Sequence, residues 1–82
     1  MSADAVVIEV IGQLFDIEAD ELTLDTTPAE IEGWDSVNQM RILVYLERQL
    51  GTSLDYDRFM KAGSLGDLAA VVADALAEGT AA

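Results

Sequence analysis

Apolar residues along this chain recur three or four positions apart in three separate stretches, and nowhere do they alternate with polar ones. A period of 3.6 lines one stripe of a helix, whereas a half-buried strand needs a period of two. In the first stretch Val7, Ile11, Leu14 and Phe15 keep the helical spacing, with Val6 and Val10 alongside. This predicts a helix from about Ser2 to Phe15, capped by Ser2 or Asp4, with Gly12 a minor weakness inside it. The second stretch predicts a helix from Asp35 or Ser36 to about Gly51, with Asp35 as its cap and Gly51 as its stop. The third opens after Ser64, where Ser64 and Asp67 have the spacing of a capping box, and runs through Leu68, Val71, Val72, Ala75 and Leu76. A short turn of helix fits Tyr56 to Lys61. The expected fold class is all-α: an antiparallel four-helix bundle of three long helices and one short one, with a long loop between the first two.

Eighty-two residues suffice for one modest core. The expected unit is a single domain over 1–82, its core about 4–78 and a frayed tail at 79–82. The long connection from Asp16 to Trp34 is acidic and holds the only proline, Pro28. Leu22, Leu24 and Ile31 are its candidate plugs into the core. Loops of this length tend to be functional or locally structured.

Sixteen acids against four bases give a formal net charge of −12. Nucleic acid and anionic membrane are poor partners for such a chain, because both need Lys and Arg to neutralise phosphate. The acid fits a solubility role or a role in steering toward basic partner surfaces, and composition does not rank the two. No cysteine and no basic-then-apolar leader points away from a secreted, disulfide-stapled protein. The longest strictly apolar run, Ile42 to Leu46, is too short to span a bilayer. The expectations are a cytoplasmic monomer, and a discrete protein rather than a segment of a larger synthase.

The second helix has two apolar stripes. Ile42, Leu43, Leu46 and Leu50 fall within an arc of about 100°, a normal core face. Val37, Met40 and Val44 cluster about 130–140° away, with Arg41 and Arg48 beside them. The second stripe either packs beneath the acidic loop or docks partner proteins in the manner of a helix face laid into a groove.

Ser36 opens this helix. The chain has no histidine or cysteine to activate it, so catalysis by Ser36 is remote. Unpaired N–H groups and the positive end of the helix dipole surround that position. A phosphodiester on its oxygen is electrostatically favoured there, and Asp35 next door is suited to help hold a Mg²⁺ brought in with a phosphate donor. The plain alternative is an ordinary N-cap followed by a filler residue. Asp16, Glu18 and Asp20 alternate like a calcium loop, but Glu21 stands where glycine is required and Thr27 where glutamate is, so no metal site is expected. Phe15, Tyr45, Tyr56 and Phe59 are read as core or rim.

Taken together, Asp16-Ile17-Glu18-Ala19-Asp20-Glu21-Leu22, Gly33-Trp34-Asp35-Ser36-Val37, Leu46-Glu47 with Leu50-Gly51, and Ser64-Leu65-Gly66-Asp67-Leu68 resemble the acyl and peptidyl carrier protein family from Val7 to about Leu76. The resemblance implies a non-catalytic carrier. Ser36 would hold 4′-phosphopantetheine, received from coenzyme A through a phosphopantetheinyl transferase that recognises Asp35. The arm's thiol would carry acyl or aminoacyl cargo as a thioester. Val37, Met40, Arg41, Val44 and Arg48 would meet partners: a loading ligase or acyltransferase, then a synthase or tailoring enzymes. Val37 replaces the usual leucine, and Asn38, Arg41 and Arg48 stand where fatty-acid carriers commonly have acids. This favours polyketide, nonribosomal peptide or related specialised biosynthesis over fatty-acid synthesis. The reading from a different class is an unmodified acidic helical adaptor.

Overall fold

The computed structural model describes the backbone of residues 2–81 and the side chains of residues 2–77. Four helices form: α1 Ala3–Phe15, α2 Ser36–Leu50, α3 Tyr56–Lys61 and α4 Leu65–Ala81. No strand occurs among the described residues. α1 packs most extensively on α4 and next on α2, while α3 bridges α2 and α4. The shared core holds Val6, Val7, Val10 and Ile11 from α1, Ile42, Leu43 and Leu46 from α2, Phe59 from α3, and Leu65, Leu68, Val71, Val72 and Ala75 from α4. Leu14, Phe15 and Leu50, expected on the core stripes, are only partly buried at its edge. No helix of the described residues is long and apolar enough to cross a membrane.

Local chemistry sets the helix ends. Ser2 Oγ accepts the Ala5 N–H at 3.1 Å, so Ser2 rather than Asp4 caps α1. α1 stops where Asp16 turns left-handed at φ 57°, a conformation that aspartate tolerates better than most residues. Gly51, at φ 69°, ends α2 in the same way. The capping box at α4 is re-aimed. Ser64 Oγ accepts the Asp67 N–H at 3.2 Å, but the Asp67 carboxylate takes the N–H of Gly63 at 3.1 Å instead of that of Ser64. Over 79–82, the expected frayed tail, the backbone is helical as far as Ala81, and Ala82 lies outside the described residues.

The long connection has structure of its own, in two 3-10 turns at Ala19–Glu21 and Pro28–Glu30. Leu22 and Ile31 plug the core as expected, but Leu24 does not: its side chain is 37% exposed. Its carbonyl makes the tie. Leu24 O accepts the Gly66 N–H at 2.8 Å, and Thr26 O accepts the Leu65 N–H at 2.9 Å. The loop thereby satisfies two of the N–H groups that the first turn of α4 leaves unpaired.

Gly12 turns out to be a packing requirement. The chain doubles back after Asp16, and a Cβ at position 12 would lie 2.8 Å from the Ile17 carbonyl oxygen. An exposed Gly→Ala in a helix gains about 1 kcal/mol, but overpacking against a fixed backbone atom costs about 1–3 kcal/mol. The backbone contact decides here: Gly12→Ala is expected to lower stability by up to about 2 kcal/mol, read as a lower midpoint in thermal unfolding followed by circular dichroism. A raised midpoint would show that the turn yields freely.

Candidate functional site

The start of α2 is built by four residues that hold it from different sides. Asp35, extended at φ −141°, accepts the Asn38 N–H on Oδ1 at 2.8 Å and so caps the helix. The Asn38 side chain reaches back, its Nδ2 donating to the Gly33 carbonyl at 2.6 Å. Gly33 sits at φ 88°, which a side chain would strain. Trp34 lies flat on Phe15 of α1, ring centroids 5.4 Å apart and planes within 9°. Its Nε1–H donates to Gln39 Oε1 at 3.1 Å, and Gln39 Nε2 donates in turn to the Phe59 carbonyl of α3 at 2.8 Å.

Gln39 is the one buried polar side chain among the described residues. It joins the segment leading into Ser36 to both α2 and α3. The sequence reading left it out, although a signal was present: Gln39 stands three, four and seven positions before Ile42, Leu43 and Leu46, on the core stripe. A glutamine on that stripe needs partners for both ends of its amide, and here it has them.

Within this frame Ser36 is the first residue of α2 and is exposed, and its Oγ makes no hydrogen bond among the described residues. An unengaged hydroxyl at the positive end of a fifteen-residue helix is well placed to bear an anionic group. Asp35 has its second carboxylate oxygen free of hydrogen bonds within the described residues, and it is exposed beside Ser36.

The second stripe does not pack beneath the acidic loop. Val37 is 69% exposed, Val44 45% and Met40 38%. With Leu14, Arg41, Tyr45 and Arg48 they line an open groove of about 570 Å³ that begins next to Ser36. Arg41 Nη1 donates to Asn38 Oδ1 at 3.2 Å, and neither Arg41 nor Arg48 meets a carboxylate among the described residues. Of the four aromatic residues read as core or rim, Phe59 is core and Phe15 is part-buried under Trp34, whereas Tyr45 and Tyr56 are exposed. Because the stripe is open, the double variant Met40→Asp, Val44→Asp is expected to fold, with stability changed by less than about 1 kcal/mol in urea titration. An unfolded product would make the stripe core.

The structure therefore brings Asp35, Ser36, Val37, Met40, Arg41, Val44 and Arg48 onto one continuous exposed surface. A carboxylate cap, a free hydroxyl at a helix N-terminus and an adjacent apolar groove suit a phosphate-linked arm with a cargo at its end. A family model described as "Phosphopantetheine attachment site" matches residues 5–72. The fold is similar to the solution structure of a holo acyl carrier protein from Geobacter metallireducens, with a TM-score of 0.83 and 29% identity over 98% of this chain and 92% of that one. A comparison with curated proteins returned no significant match. The chain thus belongs to the phosphopantetheine attachment family, and it is a non-catalytic carrier protein whose prosthetic group is 4′-phosphopantetheine.

Proposed function

We propose that Ser36 bears the arm, and that the protein carries acyl or aminoacyl intermediates as thioesters between the enzymes of a specialised pathway of the polyketide, nonribosomal peptide or related kind. The observation that carries the first part is the Ser36 hydroxyl: exposed, without a hydrogen bond among the described residues, and at the head of α2. When bound, the arm supplies the thiol that the chain lacks. The chain's own residues do the rest. Ser36 Oγ forms the new P–O bond as the pyrophosphate bond of coenzyme A breaks and adenosine bisphosphate departs. Its proton goes to a base on the transferase, because no histidine exists here and Asp35 is engaged as the helix cap. The free oxygen of Asp35 faces solvent, suited to the transferase's Mg²⁺. The α2 dipole and the N–H groups of its first turn then stabilise the phosphodiester.

Val37, Met40, Arg41, Val44 and Arg48 form the docking surface for a transferase, a loading ligase or acyltransferase, and downstream synthase or tailoring enzymes. The specialised pathway is supported by Asn38, Arg41 and Arg48 on α2, where fatty-acid carriers commonly have acids, and by the placing of the acid in the loop instead. The protein works as a cytoplasmic monomer. The test is direct: pure protein is incubated with coenzyme A, Mg²⁺ and a promiscuous phosphopantetheinyl transferase, and its intact mass is recorded. A gain of one phosphopantetheinyl group is expected. A folded protein that gains none would be left as an acidic adaptor. Efficient loading by a fatty-acid-synthesis acyltransferase, with no loading by enzymes of a neighbouring biosynthetic cluster, would overturn the pathway.

A further inference from the structure

The exposed stripe of α2 has an internal order. Val37, Arg41, Val44 and Arg48 follow one another at spacings of four, three and four residues. They lie within an arc of about 60° and run about 16 Å along the helix. That is the spacing of a helix seam meant to lie against another helix, with apolar and cationic side chains in turn. Met40 and Tyr45 flank it as exposed apolar walls.

Charge separates this face from the rest of the molecule. Two of the four basic residues of a chain with net charge −12 stand on it. Arg58, by contrast, is bonded to Asp74 at 2.7 Å. The one acid of α2, Glu47, turns its carboxylate to the Leu54 N–H at 2.9 Å and so braces the next turn. Arg48 suits the C-terminal end of a helix dipole, but Arg41 does not: it stands in the second turn, where the dipole no longer reaches and no carboxylate among the described residues pairs with it. Among the described residues its guanidinium meets the Asn38 side-chain oxygen at 3.2 Å and no carboxylate, so its charge is left uncompensated.

Resting on the docking surface proposed above, we infer that this face receives an amphipathic helix of a partner enzyme that bears two carboxylates about 10 Å apart, at positions i and i+7, with apolar residues between them. Arg41 and Arg48 are seven residues apart, so their axial separation is the same about 10 Å. The partner's carboxylates pair with the guanidiniums, and its apolar residues cover Val37, Met40 and Val44. A carboxylate-bearing partner is repelled at long range by the net charge of this chain. The pair therefore serves to select the partner and set its register more than to speed encounter.

The test uses the full-length holo protein with a benzophenone amino acid in place of Tyr45, irradiated in an extract of its source cells. The cross-linked partner segment is mapped by mass spectrometry. A helical segment with Asp or Glu at i and i+7 and apolar residues between is expected; a segment rich in Lys or Arg, or no cross-link at all, overturns the inference. With the partner in hand, Arg41→Glu with Arg48→Glu is expected to raise Kd at least tenfold, Arg41→Lys with Arg48→Lys less than threefold, and reversal of the two partner acids to Lys to restore binding to the reversed carrier. Unchanged affinity in the reversed carrier, with folding verified by circular dichroism, sinks it. Should the reversal unfold the domain, Arg41→Gln with Arg48→Gln decides, with at least a threefold loss expected and no loss counting against. The mass gain of the wild-type protein with coenzyme A is independent of these results, so a carrier that is loaded yet indifferent to the arginines refutes the partner chemistry alone.

Discussion

Ser36→Ala is expected to abolish the mass gain with coenzyme A completely while leaving the fold intact. The two effects separate because of where the serine sits. As the first residue of α2, Ser36 has no hydrogen bond to lose and little surface to bury. Surface substitutions of that kind change stability by less than about 0.5 kcal/mol, and alanine is the better helix former by about 0.5 kcal/mol. The unfolding midpoint of the variant should therefore match the wild type or slightly exceed it. The cap is untouched, since Asp35 holds the Asn38 N–H and not Ser36. Loss of modification without loss of stability would place the tether at this oxygen. Persistent modification of Ser36→Ala would move the tether elsewhere and remove the basis of the proposed role.

Gln39→Leu is expected to have the largest effect on the fold. Leucine is close to glutamine in volume, so the variant tests hydrogen bonding more than packing. It strands the Trp34 indole N–H, which is part-buried, and leaves the buried Phe59 carbonyl with the Ala62 N–H at 3.3 Å alone. Each unsatisfied buried group costs about 1–3 kcal/mol, and burying the apolar leucine offsets part of that. A net loss of about 1–3 kcal/mol is expected, against a total of about 4–12 kcal/mol for a domain this size. The readouts are the urea midpoint and the emission of Trp34, the single tryptophan, which reports on the stack over Phe15. The Ser36 loop should also loosen, so modification should slow at a temperature where the variant is still folded. A midpoint within error of the wild type would mean that water replaces both bonds and that Gln39 is no joint.

Much of the fold was legible because its determinants are local. The 3.6 period, Asp35 with its β-region backbone, and the left-handed stop at Gly51 lie within a few residues of the ends they set. The helix at Tyr56–Lys61 was legible for the same reason: Asp55 accepts the Arg58 N–H at 3.1 Å and caps it locally. The place of Ser36 at the head of α2 was legible too, from the Asp35 cap beside it. Gln39 was missed because a glutamine in a helix ordinarily faces water, and its partners come from 5 residues upstream and 20 downstream. Leu24 was misplaced because an isolated leucine in a loop reads as a plug, whereas here the backbone does the anchoring.

The order of helices, their caps and the hydroxyl at the head of α2 follow from the sequence itself, since hydrophobic period and capping act between near neighbours. Whether the second stripe of α2 is core or surface does not follow from it, for the same residues suit both. That outcome belongs to the tertiary structure. The carbonyls of Leu24 and Thr26 are drawn to the unpaired N–H groups of α4, so the acidic loop is fastened there and Val37, Met40 and Val44 stay exposed.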